Sequence, residues 1–213
     1  MTGLDGSIDT HGPDKQAMIA RVKGILVSPK SEWPVIDAES TSVGQLYAGY
    51  IAILSAIPPI AAFIGYSVFG ISIPFVGRYR VPMGSAITSA ITQYILGLIG
   101  VYVLALIIDA LAPTFGGQKN IIQALKVSAY SYTAGWLAGI FALIPGLRLL
   151  GILGLYSFYL LYLGLPTLMK SPKEKAMGYT VVVIICAIVL FVVVGAVGRM
   201  FIPSPAVGVP GLG

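Results

Sequence analysis

The chain has 213 residues, of which 57% are hydrophobic and only 10% charged, and its mean hydropathy is +0.91. Soluble domains carry roughly 25% charged residues, so this chain has too little polar surface to face water all round and must turn much of its exterior to lipid. The net charge of +5 is modest and sits at the ends of apolar runs, which argues for lipid headgroups and against a nucleic-acid partner; the single cysteine, Cys186, excludes an internal disulfide.

Residues 1–13 are polar, include Asp5, Asp9 and His11, and lack the basic-then-apolar order of a cleavable signal peptide, so they read as a flexible tail. Residues 14–43 follow as an amphipathic segment. In DKQAMIARVKGILVSPKSEWPVI, Met18, Ile19, Val22, Ile25 and Leu26 recur at helical spacing, and Lys15, Arg21 and Lys23 fall elsewhere on the helix. A basic amphipathic helix of this kind lies in the membrane interface, seats on the cytoplasmic ends of a bundle, or docks a cytoplasmic partner. Pro29 is expected to stop it. Trp33, beside Pro34, is expected to anchor at headgroup level.

A hydrocarbon core about 30 Å thick needs roughly 20 apolar residues in a helix. Within 44–202 five stretches qualify, at about 46–69, 85–108, 127–144, 149–169 and 177–201. Backbone polar groups in lipid have to be satisfied within the segment. The expectation is therefore an all-α fold: a polytopic transmembrane bundle of five helices with an N-terminal amphipathic interfacial helix. The third and fourth stretches must form a tight hairpin at Pro145–Gly146, and Pro58, Pro59 and Pro166 should kink or break their helices. The Pro/Gly-rich end, 203–213, reads as a second flexible tail. Five spans place Lys15, Arg21, Lys23, Lys30, Lys119, Lys126, Lys170, Lys173 and Lys175 on one side, against Arg78, Arg80, Arg148 and Arg199 on the other. The positive-inside rule then puts the N-terminus in the cytoplasm and the C-terminus outside.

Candidate functional residues are polar groups at membrane depth. Ser85, Thr88, Ser89, Thr92 and Gln93 share one face of the second span, where they can line a water-filled path or bond to neighbouring helices. Asp109, at the cytoplasmic end of that span, is either a proton or cation site or an interfacial acid paired with Lys119 or Lys126. Tyr156 and Tyr159 on the fourth span need hydroxyl partners. Ser128, Tyr130, Ser131, Tyr132 and Thr133 on the third are the expected ones, in a cluster that serves as glue or as a ligand site. Lys170, Lys173 and Lys175 form a basic turn suited to anionic headgroups or a partner. No two carboxylates share a span, and neither a metal-ligand spacing nor a phosphate-binding loop is present, so the reading is a non-enzymatic protein with no cofactor.

Three stretches, RVKGILVSPKSEWPVID, ALKVSAYSYTAGWLAGIFALIPG and LYSFYLLYLGLPTLMKSPKEKAMGYTVVV, together resemble the YIP (Ypt/Rab-interacting protein) family, in its prokaryotic branch. The resemblance spans about 21–201 and rests most on the order Tyr130, Trp136, Pro145, Tyr156, Gly164, Pro166 and the Lys-Pro turn. It implies five helices, a cytoplasmic N-terminus and no catalytic residues. In eukaryotic members it implies small prenylated GTPases as partners; this chain lacks their Asp-Leu-Tyr-Gly-Pro motif before the first span. The expected function is action through protein or lipid contacts in membrane organisation or trafficking-like processes, with membrane lipids and a second copy or another membrane protein as partners. The alternative is a small-solute transporter or channel that uses the polar face of the second span.

Overall fold

The computed structural model describes residues 15–73 and 77–201; the expected tails, with His11, lie outside the described residues. The chain begins with two helices, α1 (Lys15–Val27) and α2 (Pro29–Ala38). Pro29 both ends the first and starts the second, because at the first turn of a helix its missing N–H leaves no bond unmade. Span one runs from Val43 to Phe69 as α3 (Val43–Leu46), a π turn (Tyr47–Ile51), α4 (Ala52–Ser55), α5 (Ile57–Ile64) and a second π turn (Gly65–Phe69). A capping box between Ser42 and Gln45 opens it, and Pro58 and Pro59 break it at Ala56 by removing two backbone donors.

A two-stranded antiparallel hairpin follows, β1 (Ile71–Ile73) paired with β2 (Gly77–Tyr79), before the long α6 (Met83–Leu111). A 3-10 turn, Ala112–Phe115, ends at Gly116, whose φ of 71° is left-handed. Next come α7 (Ile121–Ser131), N-capped by Asn120, and α8 (Thr133–Ala138). Two 3-10 stretches, Gly139–Leu143 and Pro145–Leu155, make the expected hairpin turn, and α9 (Tyr156–Leu168) and α10 (Lys173–Phe201) complete the bundle.

Among the described residues four helices are long and apolar enough to cross a membrane: Val43–Phe69, Met83–Phe115, Leu149–Leu168 and Lys173–Gly198. The remaining expected span, 127–144, is helical but interrupted. It turns at Tyr132 and tightens to 3-10 from Gly139, and its run of Ser128, Tyr130, Ser131, Tyr132 and Thr133 makes it more polar than the other four. This segment is the centre of the molecule. Ala124 through Ser131 are all buried, with α6 on one side and α9 on the other.

The N-terminal helices seat on this core. Ile25 is buried and Met18, Val22 and Leu26 pack against the core, while Ile19 and Val27 stay exposed, so the expected apolar face is divided between protein and surroundings. Trp33 corrects its expectation. It is 1% exposed rather than an interfacial anchor, because Gly164 opens a slot for the ring. A Cβ at Gly164 would stand 2.7 Å from Trp33 Cζ2.

Candidate functional site

The densest polar constellation lies where α1 and α2 meet the start of α7 and the end of α9. Lys126, in the second turn of α7, is 2% exposed, yet its Nζ faces no carboxylate at bonding distance. It donates to the carbonyls of Ile36 (2.8 Å) and Glu39 (2.6 Å), at the C-terminus of α2. The last carbonyls of a helix lack intrahelical donors and carry the negative end of its dipole, so a buried ammonium there satisfies the backbone and the charge together. One turn earlier, Gln123 Nε2 donates to Asp37 O (3.1 Å) and Oδ1 (3.2 Å).

Arg21 joins α1 to α2 from the other side, with Nη1 on Glu32 and Nη2 on Glu39. Its guanidinium also lies 5.8 Å from the centre of the Tyr130 ring, within cation–π range. Lys170 closes the set by pairing with Asp37. It stands just past the end of α9 with φ 56°, a left-handed position usual for glycine; the ion pair to α2 is what a glycine there would lack. Arg21, Lys126 and Lys170 balance Glu32, Asp37 and Glu39 one for one. Beneath the clamp runs an aromatic column, Trp33 to Tyr130 (6.5 Å), Tyr130 to Tyr50 (4.7 Å) and Tyr50 to Trp136 (6.4 Å), pinned by a 2.7 Å bond between Tyr50 and Thr133. The constellation holds parts in place: its charged groups are engaged with each other or with backbone carbonyls, while Trp33 Nε1 and Gln123 Oε1 are buried without a hydrogen-bond partner.

The residues singled out from sequence are placed as follows. Thr88 and Gln93 are exposed on α6 and bond within it, Thr88 to Gly84 O (3.0 Å) and Gln93 to Ser89 Oγ (2.8 Å), and Thr92 is half-buried. Asp109 is not paired with Lys126, which is committed to α2; its Oδ1 is buried without a hydrogen-bond partner. Tyr179 from α10 lies beside this acid and donates to Ile108 O. The expected bonds between third-span hydroxyls and Tyr156 or Tyr159 do not form. Tyr156 donates to Leu26 O in α1 (3.1 Å), Tyr159 is exposed beside it, and Tyr130 and Thr133 instead face Tyr50 of span one. The reason is that α1 and span one, not α9 alone, cover this face of α7. Tyr132 is exposed against Trp136. Lys173 and Lys175 are exposed at the start of α10.

Sequence reasoning missed Arg21, Glu32, Asp37 and Glu39 as one unit. The available signal was Lys126, the lone charge between residues 120 and 147: an ammonium inside a run of small and apolar residues has to find oxygen atoms somewhere.

No solved structure matches the chain. Among curated proteins it is similar to inner membrane protein YohC of Escherichia coli K12, at 26% identity over 166 residues, covering 76% of this chain and 85% of the relative. YohC of E. coli O6:H1 strain CFT073 matches to the same extent. The model of the Yip1 domain matches residues 23–194, which runs from within α1 to within α10, and the chain belongs to the Yip1-domain family of membrane proteins.

Proposed function

We propose that this protein is a non-enzymatic component of the cytoplasmic membrane that acts through protein or lipid contacts at one end of its bundle, in membrane organisation. The observation that carries the reading is the charge-balanced clamp. It consumes Arg21, Lys126 and Lys170 internally and thereby holds α1 and α2 as a fixed platform. The outer face of that platform shows Ile19, Lys23, Val27, Lys30 and Val35, with the Lys173–Lys175 turn at the same end of the bundle. Exposed apolar side chains interleaved with lysines suit an anionic lipid surface or an acidic, partly apolar protein partner, each lysine near the headgroups contributing about 1 kcal/mol.

Geometry also supports five crossings. Gln118 N–H donates to Met169 O (2.8 Å), so the chain leaves and returns to one end between these residues. Leu149–Leu168 supplies only the return; residues 121–143 are the outward leg, and the lysine-rich end is then cytoplasmic. The transport alternative has less support, since Thr88 and Gln93 face outward and bond within their own helix.

The test is to neutralise Lys23, Lys30, Lys173 and Lys175 in the full chain, then measure phosphatidylglycerol enrichment around the reconstituted protein and its cross-linked partners in cells. Both should fall; if neither changes, the platform is not the working surface.

A further inference from the structure

Beyond the clamp, from the level of Tyr132 and Ser157 onward, an apolar groove of about 590 Å³ opens between the 139–155 turn region and α10. That volume is in the range of small-molecule sites, roughly 300–1,000 Å³. Its floor is made concave by missing side chains, at Gly135, Ala138, Gly139, Ala142, Gly151 and Gly154. The floor is held from behind by span one. A Cβ on Gly139 would lie 2.6 Å from Pro58 Cγ, and one on Gly65 would lie 2.2 Å from the Ala142 carbonyl oxygen, so the two backbones are already in contact and the groove has no room to flatten backwards. Above the floor stand Ile152, Leu155, Phe158, Ile188 and Phe191.

Two observations choose the occupant. The polar side chains of the lining are only Tyr132 and Ser157, and the Ser157 hydroxyl already accepts the Gly135 N–H (3.1 Å). A polar solute with more than two such groups would leave hydrogen bonds unmade, at a cost of several kcal/mol each. The second is depth. Ala187 to Phe191 lie about 21–27 Å along α10 from Lys173 at 1.5 Å per residue, inside a hydrocarbon layer about 30 Å thick. The rim is exposed to that layer, with Ile152 at 67% and Phe191 at 71%. The medium that meets the mouth is hydrocarbon chain.

We infer that this groove is a binding site for a single acyl chain of a membrane lipid, which enters sideways from the bilayer between α10 and the 139–155 turn. It is independent of the α1–α2 platform.

The test uses the full chain in phosphatidylcholine and phosphatidylglycerol vesicles doped with a phospholipid that carries a diazirine near the end of one acyl chain. After photolysis, adducts are mapped by peptide mass spectrometry. Labelling should concentrate severalfold at Phe158 and Ile188 over Ile91 and Ile95, which face outward on α6. Gly151→Phe, whose Cβ meets nothing within 4 Å, should fill the groove and abolish the excess while labelling on α6 stays. Gly151→Leu is the smaller filling should the phenylalanine variant not fold, and the map of the natural sequence is decisive alone. Even labelling of both surfaces would mean ordinary boundary lipid and would overturn the site. So would weaker labelling of the groove than of α6, the pattern expected if a second copy covered it, or an excess that survives filling.

Discussion

Helices α7 and α10 reverse the habit of water-soluble proteins. Eight consecutive residues of α7, Ala124 to Ser131, are buried, and they include a lysine, two serines and a tyrosine. The apolar window of α10 has a mean hydropathy of 3.3, yet only 11% of it is buried. Lipid accepts Val, Ile and Phe on all faces, so nothing drives α10 inward beyond packing, whereas the polar side chains of α7 gain most from partners inside the protein, although Gln123 Oε1 and Ser131 Oγ are buried without one. Ser128 donates to Val101 O (2.9 Å) and Lys126 to the end of α2. Polarity marks the buried centre of this bundle, and hydrophobicity marks its rim.

The hardest way to break that contrast is Lys126→Met. It keeps the length of the side chain and leaves the Ile36 and Glu39 carbonyls without their donor, at a cost of about 2–4 kcal/mol. Denaturant unfolding in micelles should show the loss, and limited proteolysis should cut first between α2 and span one. A comparable removal in α10, Val189→Ala, takes atoms from a side chain 57% exposed and should cost well under half of that.

One substitution made in both regions sharpens the comparison by its sign. Gly164→Ala drives a Cβ to 2.7 Å from the buried Trp33 ring and should destabilise by about 1–3 kcal/mol. Gly195→Ala meets nothing within 4 Å and should stabilise α10 by up to about 1 kcal/mol through helix propensity. Thermal midpoints of the two variants, measured in one detergent, should move in opposite directions.

The rim was legible in the sequence and the centre was not, for a physical reason. Runs such as Val181 to Val194 announce themselves because lipid imposes one requirement along their whole length. The clamp instead joins Arg21, Glu32, Asp37 and Glu39 to Lys126 and Lys170, up to 133 residues apart, and no local period records such a pairing. Trp33 beside Pro34 reads like an interfacial anchor until Gly164, far along the chain, supplies its slot. Of the α9 tyrosines expected to need hydroxyl partners, Tyr156 finds Leu26 O in α1, 130 residues away, and Tyr159 stays exposed against the Tyr156 ring.

The smallest expected effect is the most discriminating for function. Gln93 is exposed on α6 and bonds to Ser89 one turn away. Gln93→Leu should change unfolding by about 0.5 kcal/mol or less, because the amide holds nothing together inside one copy. Reconstituted vesicles then separate the two readings of that face. Unchanged stability with unchanged solute flux leaves the platform end as the working surface. Unchanged stability with lost flux would show that an amide with no structural duty had been kept for a permeating solute, and would move the function from the clamp end of the molecule to α6.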